Sequence, residues 1–118
     1  MKFCGNWKGK GEIISLNNIT KQTSNINAVI IMEIIKKSDD IFVLTGQVIT
    51  ENNNIILYDI IGYYNPNTKC IETSEKSGYG ITSTFFKDNK LYHRASISKN
   101  DDKPNNKFAS SFKLKKLH

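Results

Sequence analysis

The chain has 118 residues, 38% of them hydrophobic and 24% charged, so it is long enough for one buried core and too apolar to be disordered. Its formal net charge is +6, and Arg94 is the one arginine among 17 basic residues. No apolar run approaches the roughly 20 residues of a membrane helix, and the first fifteen residues lack the apolar block of a signal peptide. We therefore expect one cytoplasmic domain over residues 1–118 without a membrane span, although a mature secreted chain would look the same.

The first predicted strand, residues 5–16, alternates between two faces, as half-buried strands do. One face carries Trp7, Gly9, Gly11 and Ile13. The alternation breaks at Ile13-Ile14, which predicts a bulge or a bend. A polar, turn-rich loop follows over residues 17–25.

Residues 26–37 are the ambiguous segment, because apolar residues occupy both faces. Its many β-branched residues favour a strand, and a helix of the same length is the alternative. If the segment is a strand, one face carries Ile26, Ala28, Ile30, Met32 and Ile34.

Six further strands are predicted over residues 41–51, 55–64, 70–75, 79–87, 90–98 and 107–117. Asn52-Asn53-Asn54 and Asp88-Asn89 mark tight hairpins, because asparagine and aspartate tolerate positive φ. Sequential hairpins favour an all-β, antiparallel up-and-down barrel of about eight strands. A barrel of that size just holds its own side chains or one small ligand.

The opening Gly5-Asn6-Trp7 resembles the Gly-x-Trp signature of the calycin superfamily, which includes lipocalins, fatty-acid-binding proteins and avidins. With Gly9 and Gly11 it is similar to the first strand of nitrobindin-type haem barrels. The resemblance implies a calycin-like barrel in which a basic residue of the last strand packs over Trp7. The candidates are Lys113, Lys115 and Lys116. The sequence has no counterpart of the fatty-acid-binding proteins' helical lid or of a lipocalin helix before the last strand.

Six residues are predicted to contact a ligand inside the barrel: Trp7, Phe42, Tyr58, Tyr64, His93 and Phe112. Aromatic rings suit an apolar lining, and tyrosine adds a hydroxyl for a polar group; Tyr79 is a further tyrosine of this kind. Ordinary packing is the alternative for the tyrosines, and a plug at one end of the barrel is the alternative for Trp7. If His93 points inward, its imidazole would orient a polar head group of the ligand or have a structural role. The resemblance to nitrobindin-type barrels alone implies a third role for His93, as a haem ligand.

A binding protein that holds a small, largely apolar molecule in the barrel is the function that these patterns favour. The first alternative is a non-catalytic interaction module or homodimer with a solid core, indicated by apolar Val29, Ile31 and Ile35 on the second face of their strand. The second is an enzyme that uses His93 as acid or base, although no catalytic or metal motif occurs. The sequence does not indicate which cofactor, if any, the protein binds.

Scattered lysines and a single arginine argue against a nucleic-acid partner, because such partners need a continuous basic track with aromatic rings. Cys4 and Cys70 have no metal-binding spacing, and the default in a cytosolic chain is two free thiols, with a bridge left open. Gly46 and Gly62 lie inside apolar strands, where glycine marks a bend more often than a ligand contact.

Overall fold

The computed structural model describes residues 2–74, 80–97 and 106–117 and confirms the all-β prediction. The described residues form eight strands: β1 (Gly5–Asn17), β2 (Thr23–Lys36), β3 (Ile41–Thr50), β4 (Ile55–Asn65), β5 (Cys70–Ser74), β6 (Ile81–Lys87), β7 (Lys90–Ile97) and β8 (Asn106–Lys116). Each strand pairs antiparallel with the next, and β8 pairs with β1, so the meander closes into a barrel. Tyr79 and His118 lie outside the described residues. Within the described ranges, no helix is long and apolar enough to cross a membrane.

The second segment is a strand, and the helical alternative is wrong. β2 begins at Thr23, three residues earlier than predicted, because Thr23 and Ser24 pair with the end of β1. β1 also pairs one to one with both neighbours across Ile13 and Ile14. The predicted bulge is therefore absent there. Apolar residues occur on both faces at Ile13 and Ile14 because side chains of either face are partly buried from Ile13 to the end of the strand.

Turn chemistry explains the hairpins. Asn53 has φ 64°, and Asp88 and Asn89 have φ 52° and 64°. These left-handed conformations match the right-handed twist of the flanking strands, and asparagine and aspartate adopt them at low energetic cost. The two-residue turn at Asp88-Asn89 joins the cross-strand pair Lys87 and Lys90.

Gly46 and Gly62 are required by the packing of neighbouring strands. A Cβ at Gly46 would overlap the carbonyl oxygen of Ile31 on β2, and one at Gly62 would lie 2.7 Å from Cγ2 of Thr73 on β5. Real Cβ atoms do not approach other atoms so closely. Close packing against neighbouring strands, rather than a ligand contact, therefore accounts for both glycines.

The inward faces of the strands form the core. Its fully buried members are Phe42, Phe112, Ile30, Met32, Ile34, Leu44, Ile60, Ile71, Leu91, Leu114, His93 and Val48. All except Ile71, which lies on β5, follow the predicted alternation of β2, β3, β4, β7 and β8. The sulfurs of Cys4 and Cys70 are free thiols, each partly buried.

Candidate ligand site in the barrel

Aromatic rings fill the end of the barrel where β1 begins, here called the closed end. The ring of Phe3 lies 6.0 Å from Phe42, 5.8 Å from Tyr64 and 4.8 Å from Phe86, between centroids. Trp7 packs 5.7 Å from Phe86, and its indole N–H donates to the Phe3 carbonyl oxygen at 2.9 Å. Three predicted ligand contacts, Trp7, Phe42 and Tyr64, therefore lie in an aromatic plug.

The last strand supplies the basic residue that the resemblance implies. Lys116 Nζ lies 5.7 Å from the centroid of the Trp7 ring, within cation–π range. Trp7 is only 4% exposed. Of the three candidate lysines, Lys116 is therefore the one over the indole.

His93 and Phe112 form the floor of the barrel interior above this plug. They lie opposite each other on β7 and β8, with exposures of 0% and 1%. His93 Nδ1 is 2.8 Å from the Thr84 hydroxyl. Its Nε2 is buried without a hydrogen-bond partner among the described residues. Sequence alternation correctly predicted that both side chains point inward.

Burial sets the charge of this imidazole. Desolvation lowers the pKa of His93 from 6.5 to about 4, because removing water penalises the charged form. His93 is therefore neutral at pH 7. Whichever nitrogen carries the hydrogen, Nε2 is left as an unpaired donor or acceptor, which lowers stability.

Tyr58 spans the interior just above the floor. It projects from β4, its ring packs edge-on against His93 at 5.5 Å, and its hydroxyl lies near the Ser110 side chain of β8. β4 and β8 are four strands apart in the eight-strand barrel, so the Tyr58 side chain crosses from one wall towards the opposite wall. Burial raises the pKa of Tyr58, and the nearby Ser110 hydroxyl partly offsets that rise.

Beyond Tyr58 the inward side chains become partly exposed, in the region here called the mouth. They are Ile13, Ile26, Ile56, Ala95 and Phe108, which continue the inward faces of β1, β2, β4, β7 and β8. Ile56 is 44% exposed. At the rim, the hydroxyls of Ser15 and Ser24 lie 2.7 Å apart. The mouth is thus the part of the described interior where the inward side chains are partly exposed to solvent.

The two walls of the interior differ in chemistry. Strands β5 to β8 contribute inward hydroxyls, including a Thr73–Thr82 hydrogen bond, Thr84 and Ser110. Strands β1 to β4 contribute fewer buried hydroxyls, among them Thr50 on β3 and Tyr58 on β4. The buried threonine hydroxyls are therefore concentrated on β5 and β6.

The eight strands form a closed up-and-down barrel with the tryptophan of β1 beneath a lysine of β8, which is the arrangement that the calycin resemblance implies. No protein-family model and no curated protein sequence matches the chain. Among solved structures, it is similar to apocrustacyanin C2, at 16% identity with a TM-score of 0.46. The likeness covers 95% of this chain and 59% of that protein, so this chain spans less than two thirds of its length.

The surroundings of His93 do not fit a haem ligand. Its Nε2 is buried below Tyr58, with fully buried side chains at the same level, so a macrocycle has no access to it. Among the described residues, its one hydrogen-bond partner is the Thr84 hydroxyl, and no carboxylate reaches the ring. A general acid–base pair built on His93 needs such a carboxylate.

Sequence reasoning missed residues that define the candidate site. Ser110 and Ala95 lie on inward faces but carry small side chains. The predicted ligand contacts were aromatic residues and a histidine, so these two positions were not selected. Phe3 precedes the first strand, so alternation did not apply to it. The inward parity of β7 and β8 was the signal available for Ser110 and Ala95.

Proposed function

We propose that the protein binds a small, largely apolar molecule with one hydrogen-bonding group in the mouth, above Tyr58. The observation that carries this proposal is the position of Tyr58, whose side chain crosses the interior towards Ser110, with packed side chains below it and partly exposed apolar side chains above it. Such a mixture of apolar lining and few polar groups is typical of small-molecule sites. The fold alone does not carry function.

The chemistry of the lining narrows the ligand class. Among the described inward residues of the mouth none is charged, and His93 below is neutral at pH 7. An ionised group would lose its hydration without gaining a counter-charge. A neutral ligand with a hydroxyl or carbonyl, such as a medium-chain alcohol or ketone, fits the Tyr58 and Ser110 hydroxyls. Trp7, Phe42 and Tyr64 support the site from the closed end.

Fluorescence titration with 1-aminoanthracene, followed by displacement with decanol, tests the proposal. Ala95→Phe adds a ring to the mouth, whereas the matched control Ala109→Phe adds the same ring on the outer face of β8, where Ala109 is exposed. We expect Ala95→Phe to weaken probe binding by tenfold or more, as an order-of-magnitude estimate for a filled apolar site, and Ala109→Phe to leave it unchanged. Absence of binding, or equal effects of the two variants, would contradict the proposal.

A second candidate function is self-association through the outer face of the barrel. Four strongly exposed apolar side chains lie on β4: Ile55, Leu57, Ile61 and Tyr63 are 60%, 68%, 58% and 66% exposed. Val43 pairs with both Ile61 and Ile35, so the patch extends over β3 to β2. A polar row of Glu33, Thr45 and Asp59 crosses this face between Leu57 and Ile61, so the apolar residues form two strips. Exposed apolar surface marks interfaces.

We propose a second copy of the chain as the partner of this apolar face. A two-fold interface brings the same patch of both copies together, so the patch must be complementary to itself. Apolar side chains meet this requirement because they need no opposite charge on the partner. The exposed lysines of β1 and β8 lie on other strands, so two copies with net charge +6 meet with little repulsion. Light scattering should show a dimer that Leu57→Lys dissociates and Ile19→Lys, at another exposed isoleucine, does not. A monomer at all concentrations would exclude this candidate.

A further inference from the structure

The fold brings lysines from the two ends of the chain into direct opposition. On the outer faces of β1 and β8, Lys8 lies opposite Lys115 and Lys10 lies opposite Lys113, and all four are exposed. Directly opposed like charges destabilise a sheet. A bound polyanion would relieve that repulsion, so these two pairs indicate a surface suited to an anionic partner.

Aromatic rings continue the same cross-strand row. Lys113 lies opposite Tyr92 on β7, and Tyr92 lies opposite Phe85 on β6. The two rings stack with centroids 5.6 Å apart and an interplanar angle of 12°. The guanidinium of Arg94 lies 5.3 Å from the centroid of Phe85. From Lys10 to Phe85 the row crosses four strands, or about 14 Å at the usual strand spacing.

The row borders a lysine-lined depression of about 440 Å³ beside the closed end. Its lining residues are Lys2, Trp7, Phe86, Asn89, Lys90, Lys115 and Lys116. None of them is acidic, and Lys115 belongs both to the depression and to the opposed pairs. The positive surface is therefore continuous from the outer strands to the end of the barrel.

We infer that this basic face, defined by Lys8, Lys10, Lys113, Lys115, Arg94, Phe85 and Tyr92, binds single-stranded nucleic acid. Proteins that bind single strands combine a positive track with aromatic rings on which bases stack. Lysines alone would suit any polyanion, and the Phe85–Tyr92 stack with Arg94 favours one that carries bases. The sequence argues against a nucleic-acid partner because its lysines are scattered along the chain. Pairing of β1 with β8 brings lysines from both ends of the sequence onto one face.

Fluorescence polarisation with a labelled oligothymidylate of about 12 nucleotides, within the usual range of site sizes, tests the inference over a series of salt concentrations. We expect Lys10→Gln/Lys113→Gln to reduce the slope of log affinity against log salt by about 1.4, since each phosphate contact contributes about 0.7 on single strands. The control Lys36→Gln/Lys37→Gln makes the same charge change at exposed positions at the β2–β3 end and should leave the slope unchanged.

Folding of the first variant is checked by thermal melting. Because Lys10→Gln/Lys113→Gln removes an opposed like-charge pair, its melting temperature should equal or exceed that of the wild type. Loss of binding in a variant of undiminished stability cannot come from unfolding.

Tyr92→Leu tests the role of the bases. It keeps an apolar side chain but removes the ring, so affinity for the oligonucleotide should fall by about tenfold, the loss of one stacked base, while affinity for inorganic polyphosphate stays the same. No oligonucleotide binding at low salt, equal loss in the control variant, or no effect of Tyr92→Leu on the oligonucleotide would each overturn the inference. So would equal binding to phosphatidylserine vesicles. The basic face lies outside the barrel, so these results are independent of the mouth site.

Discussion

Burial of the His93 imidazole makes the stability of the barrel sensitive to acid. The pKa of His93 is lowered to about 4 in the folded chain, against about 6.5 when unfolded. Between these values the unfolded chain binds a proton that the folded barrel does not. The free energy of unfolding should therefore be independent of His93 above about pH 6.5. It should fall as the pH is lowered from there to about 4, and level off below that.

The two pKa values give the size of the loss. They differ by about 2.5, and each pKa unit corresponds to about 1.4 kcal/mol. The imidazole should therefore lower the free energy of unfolding by about 3 kcal/mol at pH 4 relative to pH 7. Domains are commonly stable by about 5–15 kcal/mol, so this is a large share of the total.

Urea unfolding of the wild type and of His93→Leu, at four pH values between 7 and 4, measures this loss. All other residues are the same in both proteins, so the difference between the two pH profiles isolates His93. We expect the wild type to lose about 3 kcal/mol more than the variant across this range. Parallel profiles would refute the reasoning, because they would mean that the imidazole protonates as readily folded as unfolded.

Three further substitutions test the packing of the barrel. Trp7→Ala should lower the free energy of unfolding by about 3–5 kcal/mol, as for other buried aromatic residues, and an unchanged urea midpoint would mean that the plug is not packed. Gly46→Ala should destabilise by about 1–3 kcal/mol, because the new methyl overlaps the Ile31 carbonyl oxygen; a melting temperature equal to the wild type would contradict that spacing. Tyr58→Phe removes the hydroxyl that lies near Ser110 and should lower stability by no more than about 1 kcal/mol. The same variant should also weaken decanol binding, and unchanged decanol affinity would remove the Tyr58 hydroxyl from the site.

Much of the fold could be predicted because its determinants are local. Period-two alternation gave the inward faces of β2, β3 and β4, and positive-φ residues such as Asn53 marked the hairpins. The errors came where tertiary pairing overrides composition. Thr23 and Ser24 are polar enough for a loop, yet pairing with β1 draws them into β2.

The candidate site was less accessible to sequence reasoning. Alternation showed that Tyr58 and His93 point inward, but the contact of Tyr58 with Ser110 depends on the width of the closed barrel. Likewise, the opposition of Lys10 and Lys113 exists only because the first and last strands pair. Such juxtapositions depend on closure, which no local pattern encodes.

Methyl NMR during titration with decanol shows whether a ligand enters the mouth above the packed interior. We expect shift changes to concentrate on mouth residues such as Ile13, Ile26 and Ile56, while Ile34 and Leu44 in the packed region stay unchanged. Shift changes centred on Ile34 and Leu44, or none at saturating decanol, would contradict this expectation.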